Sequence, residues 1–239
     1  MVVVFVDANV LAKPVTRTIL IAAGERSGFR AVWSQTALRQ ADAHLRPGMT
    51  AVSDLSTRFG WETTPVGPDP ARFPRTASSD RQILADAVAA GAWYLITEDV
   101  DDFDVDELVG VGLAAVGADL FMPHRVTDLG YLEALDTLAA GRRRPPDTPE
   151  QLHAALGRQH PLLARAKVGL FPDVAVVPPT QGEAAVVYRG GRCLRCDGVL
   201  DEVALLERGL GPECRTGVGS RHGVGRGVTR SGGSGVRRG

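Results

Sequence analysis

Five consecutive apolar residues, Val2-Val-Val-Phe-Val6, stop abruptly at Asp7, and the pattern returns as Ala92-Trp-Tyr-Leu-Ile-Thr97 running into Glu98-Asp99. A run without polar alternation has no wet face, so it belongs inside a sheet covered on both sides, and such sheets are mostly parallel. Phe29–Trp33 and Leu113–Val116 read as two further short strands. Helix signals separate them: a stretch through Thr18-Ile-Leu-Ile-Ala-Ala23 closed by Gly24, Gln35–Leu45 behind Ser34 as N-cap, and Asp80–Ala90 behind Ser78 or Ser79 and stopped at Gly91. A polar helix and a Pro-rich stretch fill 46–75. This alternation predicts a three-layer α/β/α domain on a parallel sheet. Ligands of such sheets bind beyond the carboxyl ends of the strands, where Asp7 and Asp99 fall.

At 239 residues the chain has room for one such domain and an appendage. The first domain is expected over 1–127 and a helical extension over 128–171, with helices at Leu129–Ala140 and from Thr148 to about Gly157. A Pro- and Val-rich connector (172–188), a cysteine module (189–220) and a Gly-, Ser- and Arg-rich tail (221–239), expected to be disordered, complete it. Net charge is −1, yet no acid follows Glu213 while Arg215, Arg221, Arg226, Arg230, Arg237 and Arg238 do. Such a basic end suits nucleic-acid contact or serves as a solubilising extension. No apolar run approaches the roughly 20 residues of a membrane span, and the opening MVVVFVDAN lacks the basic start of a signal peptide. Three cysteines clustered between 193 and 214 do not read as a disulfide framework, so a reducing cytoplasm is expected.

Beyond Asp7 and Asp99, the acids of interest are Asp80 at a helix start and Asp101, Asp102 and Asp104 in the loop after Asp99. Carboxylates supply the hard oxygen ligands that Mg²⁺ or Mn²⁺ prefer, and such cations stabilise phosphodiester cleavage and activate water. Val4-Phe-Val-Asp7-Ala-Asn9-Val-Leu resembles the opening of a PIN domain, as found in VapC-type ribonuclease toxins. Trp33-Ser34-Gln35 resembles the strand leading into that family's acid-bearing helix, Asp80-Arg-Gln-Ile-Leu-Ala-Asp-Ala87 its later acidic helix, and Ala92 to Phe103 its strand and terminal acids. The likeness spans about residues 1–125.

The resemblance implies that Asp7, Asp80 and Asp99 bind Mg²⁺ or Mn²⁺, that Asp102 joins them in catalysis, and that Asn9 and Thr97 shape the site. It further implies an endoribonuclease, the toxin of a type II toxin–antitoxin pair, with RNA as substrate, an antitoxin as partner and a homodimer as assembly. One position departs. The family usually has a Glu about six residues after the capping Ser, and here Gln40 stands, which keeps an oxygen acceptor but loses the charge. Asp42, rotated about 200° around the helix, is a poor substitute. Asp86 is expected to face away from Asp80, and His124 and His153 to be structural.

Arg192-Cys193-Leu-Arg-Cys196-Asp-Gly198 has the spacing of a zinc knuckle, and Cys214 follows in Gly209-Leu-Gly-Pro-Glu-Cys214. Zinc takes four tetrahedral ligands. Three cysteines leave one position to His222, Asp197, Glu213, a backbone group or water. The segment resembles small zinc-binding modules of the form C-x-x-C followed by G-x-G-P-x-C, over residues 190–216. Metal would supply folding energy that so short a segment cannot draw from a core, and Arg189, Arg192, Arg195 and Arg215 around it suit RNA contact.

Two functions from different classes therefore compete. One is the metal-dependent ribonuclease. The other is a catalytically degenerate PIN-like fold that binds RNA through the zinc module, which Gln40 favours. A hydrolase using a nucleophilic Asp is weaker, because no partner Lys or Thr motif follows.

Overall fold

Strand β1 (Val2–Val6) lies inside the sheet: Val4, Phe5 and Val6 are all buried although successive side chains point to opposite faces. The second strand, β2 (Phe29–Val32), pairs with it in parallel, and β3 (Tyr94–Ile96) does so on the other side, with Val4 opposite Tyr94 and Val6 opposite Ile96. Strand β4 (Ala114–Val116) continues the parallel order beside β3. Every residue of β3 and β4 is buried, so both faces of the sheet are covered. The computed structural model describes residues 1–45, 47–176, 187–200, 206, 209–211 and 214. The expected basic tail, His222 and Glu213 lie outside the described residues.

The sheet is mixed rather than wholly parallel. A fifth strand, β5 (Tyr188–Gly190), pairs antiparallel with β4 at the edge, giving the order β2-β1-β3-β4-β5. It begins at the end of the stretch expected to be a connector. Tyr188 is fully buried there, and a Cβ on Gly190 would come 2.5 Å from the Ala114 Cα, so only glycine lets β5 approach β4 this closely.

Ten helices accompany the sheet among the described residues. Helices α1 (Ala8–Leu11) and α2 (Pro14–Gly24) follow β1, and α3 (Gln35–Ala43) starts behind Ser34, whose hydroxyl accepts from the Ala37 N–H at 3.2 Å. After α4 (Val52–Phe59) the Pro-rich segment crosses α5 (Arg81–Ala89). The buried carboxylate of Asp86 fixes that crossing by accepting from Gly67 N and Gln82 Nε2, both at 2.7 Å, and from the Ser34 hydroxyl. A Cβ on Gly67 would lie 2.2 Å from the Ala85 carbonyl carbon, so the crossing requires glycine. Asp86 is thus taken up by Ser34, Gly67 and Gln82 in this crossing.

Short α6 (Val105–Gly110) and α7 (Ala118–Arg125) flank β4. The extension supplies α8 (Asp128–Ala140), α9 (Pro149–Leu156) and α10 (Pro161–Ala166). It packs directly on the first helices: Gly130 lets α8 meet the Ala23 carbonyl of α2, and His160 Nε2 lies 2.8 Å from the Thr16 hydroxyl. His153 is buried between Tyr131, whose hydroxyl is 2.9 Å from its Nδ1, and the stacked ring of Phe171. Among the described residues no helix is long and apolar enough to cross a membrane.

The chain leaves β1 toward β2 on one side and leaves β3 toward β4 on the other. The loops after these two adjacent strands diverge and leave a crevice at their carboxyl ends. Asp7 and Asp99 open onto it.

Candidate functional site

A pocket of ≈ 220 Å³ at this edge is lined by Asp7, Asn9, Gln40, Asp80, Asp99 and Asp102, with Ala8, His44 and Ser79. Residues from the end of β1, from α3, from the start of α5 and from the loop after β3 thus meet in one place. Each arrives for a local reason.

Asp7 is the first residue past β1 and caps α1, one carboxylate oxygen accepting from Ala8 N at 2.6 Å. Its other oxygen accepts from the Thr97 hydroxyl at 2.7 Å. Thr97 does not line the pocket; it holds the floor. Its oxygen also accepts from Asn9 Nδ2 and from Asp99 N, each at 3.1 Å. Asn9 closes the circuit by donating to Asp99 Oδ2 at 2.9 Å and accepting from Glu98 N at 3.2 Å. Asp80 occupies the cap position of α5 without making a capping bond; its carboxylate takes the Ser79 hydroxyl at 2.6 Å and otherwise faces the pocket.

The three acids of the following loop separate by contact. Asp101 pairs with Arg189 of β5 at 2.9 Å. Asp104 caps α6, accepting from Asp106 N and Glu107 N at 3.1 Å, and pairs with Arg75. Asp102 alone turns toward the pocket, while its backbone carbonyl accepts from Ala77 N at 2.8 Å. Asp42 is spent on the α4 cap through Val52 N and Ser53 N, in keeping with its poor fit to the missing acid.

Among the described residues the pocket wall holds neither Lys nor Arg. Burial pushes Asp7 up to about 6, against the hydrogen bonds from Thr97 and Ala8, with Asp80 and Asp99 adding repulsion. Burial, then the nearby Asp102 and Asp99, also raise Asp80 despite its Ser79 bond. Such strain is what a bound cation relieves. His44 is the lining residue that the sequence reading missed. Its signal was positional: it lies four residues after Gln40 and so shares that face of α3.

The cysteines form a second cluster. Cys193 and Cys196 occupy the tip of a hairpin closed by the Arg192–Val199 bridge and by Cys193 N donating to Gly198 O at 2.7 Å. The turn holds Asp197 at φ 62, and Cys214 follows a turn from Gly211. The ligand atoms of all three lie within 4.8 Å of one another. Thiolates about 2.3 Å from a tetrahedral zinc sit about 3.8 Å apart, so the group fits such an ion. Among the described residues no other group of three or more His, Cys, Asp or Glu side chains is drawn together so tightly, and the pocket acids are more widely spaced.

Burial opposes ionisation of Cys193, but backbone N–H groups of Gly211, Arg195 and Cys196 aimed at its sulfur outweigh it and lower its pKa. Burial and the two neighbouring thiols push Cys214 up to about 12. Of the candidate fourth ligands, Asp197 has one oxygen committed elsewhere, to the Tyr94 hydroxyl at 2.6 Å and Arg125 at 2.7 Å.

These contacts fasten the hairpin to the sheet domain. The Tyr94 hydroxyl also lies 2.8 Å from Cys193 O, and the Arg192 guanidinium donates to Gly112 O at 2.5 Å and stacks 4.6 Å from the Trp93 ring. Arg192 and Arg189 are therefore engaged within the protein. Burial, with Arg195 and Arg125 nearby, lowers the pKa of His124 on α7. Comparison of the chain with protein-family models, with curated proteins and with solved structures finds no match.

Proposed function

We propose that the chain is a metal-dependent endoribonuclease working at the acidic pocket. The observation that carries this reading is the meeting of Asp7, Asp80, Asp99 and Asp102 at the carboxyl edge between β1 and β3, with no Lys or Arg among the described residues of the wall. Four carboxylates in so small a pocket suit a hard divalent cation, and Asp7, Asp80 and Asp99 would hold Mg²⁺ or Mn²⁺. Bound there, the cation supplies positive charge for a cleaving phosphodiester and acidifies an attacking water.

The chain's own groups have separate tasks. The Thr97 hydroxyl and the Ala8 N–H fix the orientation of the Asp7 carboxylate, and Asn9 holds one oxygen of Asp99. Asp102 stands across the pocket as a candidate proton acceptor. Gln40 offers an amide that donates to a phosphate oxygen, and His44 on the same face adds an imidazole to the wall. The PIN-like resemblance extends this to a toxin with a partner antitoxin, acting in the cytoplasm. The thiol cluster is read as a structural zinc site.

Gln40 supports a second reading. An uncharged side chain at the family's acidic position suits a fold retained for RNA binding, with the cysteine module as its active part. Induced expression in a bacterial host separates the two. Growth arrest with accumulating RNA fragments, both relieved by Asp7→Asn, is expected of the nuclease; arrest that persists in Asp7→Asn assigns the effect elsewhere in the chain.

A further inference from the structure

The acidic pocket and the thiol cluster are joined by a short physical path. Arg189 stands on β5, opposite Ala115 in the sheet and four residues before Cys193. Its guanidinium reaches out of the sheet to the loop after β3, donating to Asp101 Oδ1 at 2.9 Å, to Asp101 O at 3.4 Å and to Phe103 O at 3.3 Å. That loop, the 3₁₀ turn Val100–Asp102, carries Asp102 and begins at Asp99. Three acceptors on one fork brace the carbonyl side of the turn while its other side presents the two acids to the pocket.

The hairpin behind β5 helps to hold it through Tyr188 and Arg192. Strand β5 has only three residues and, among the described residues, pairs on one side alone. Such an edge strand is marginal by itself. The cysteine hairpin adds to its anchorage through Tyr94 to Cys193 O and Asp197, Arg125 to Asp197, and Arg192 to Gly112. Gly209, from the segment that brings Cys214, packs so closely on Tyr188 and Leu194 that a Cβ there would lie 2.9 Å from the Tyr188 ring. An ion bridging Cys193, Cys196 and Cys214 would fasten this second segment over the first.

We propose that Arg189 is a positioning residue, carrying the order of the thiol metal centre to the loop that presents Asp99 and Asp102. The Cys centre then governs the acidic pocket without lining it, and loss of its ion by chelation loosens that loop. The consequence for cation binding rests on the nuclease reading; the clamp itself does not.

The test uses the full chain loaded with zinc, comparing wild type, Arg189→Lys, Arg189→Ala and the chelator-treated wild type. Amide hydrogen exchange is followed over 99–104, and Mn²⁺ binding is titrated alongside. Arg189→Ala is expected to keep its zinc yet speed exchange in the loop about fivefold, the scale of a half-exposed ion pair with its added hydrogen bonds. Mn²⁺ affinity should fall by a similar factor, Arg189→Lys should lie between, and zinc removal should loosen both 188–190 and 99–104. Unchanged loop exchange in zinc-loaded Arg189→Ala overturns the proposal, as does zinc removal that frees the hairpin and leaves the loop protected. Faster loop exchange in a protein whose wild type binds no Mn²⁺ upholds the clamp and removes the nuclease reading.

Discussion

Thr97 donates its hydroxyl hydrogen to Asp7 at 2.7 Å, tying the end of β3 to the end of β1 at the point where their loops part. The same oxygen accepts from Asn9 and from the Asp99 backbone, so one hydroxyl organises two acids of the pocket. Thr97→Val keeps the shape and removes all three bonds. It should cost about 1–3 kcal/mol in denaturant unfolding, because buried partners are left unsatisfied. Mn²⁺ affinity should fall as well, and Thr97→Ser should recover most of both. Wild-type stability and affinity in Thr97→Val would show that the network does not position the acids.

The pH dependence of folding contains two opposed contributions. Burial raises Asp7 from 3.8 to about 6, so its stabilising share is present below pH 3.8 and lost as pH rises through about 6, at most about 3 kcal/mol. Burial, followed by the charge of Lys13, lowers His160 from 6.5 to about 4. Its share is present above pH 6.5 and lost as pH falls toward 4, again about 3 kcal/mol. In the metal-free wild type the two largely offset between pH 4 and 6. Asp7→Asn should therefore raise the neutral-pH melting temperature and steepen the loss of stability on acidification, while His160→Gln should reverse that slope. Parallel pH profiles for wild type and both variants would contradict this assignment.

The thiol cluster should hold one zinc per chain by elemental analysis of protein purified without chelator. Cys193→Ser and Cys214→Ser should each lose it. Because Cys214 is pushed up to about 12 in the absence of a cation, binding must release protons. Affinity should therefore weaken steeply as pH falls from 8 to 6. A pH-independent affinity, or zinc retained in both serine variants, would place the ion elsewhere.

The strands that build the crevice were legible because their residues leave no polar face, and Asp7 and Asp99 stand out where those runs stop. Sorting the loop acids was not possible from sequence. Asp101, Asp102 and Asp104 are chemically alike, and only the position of Arg189 and the start of α6 divert two of them from the pocket. Strand β5 was hidden for a related reason: Tyr188-Arg-Gly is too short to show a period, and its pairing depends on β4 and on the hairpin behind it. His44 lacked an apparent partner until the helix phase from Gln40 brought it to the same wall.

Cleavage of a mixed RNA pool by purified protein, in Mn²⁺ or in EDTA, decides whether the acidic pocket cuts RNA, with Asp7→Asn and Gln40→Glu run beside the wild type. Cutting is expected in Mn²⁺, with none in EDTA, none in Asp7→Asn, and faster cutting in Gln40→Glu, where the added carboxylate strengthens cation binding. An inert wild type, or cutting that survives EDTA or Asp7→Asn, would contradict it.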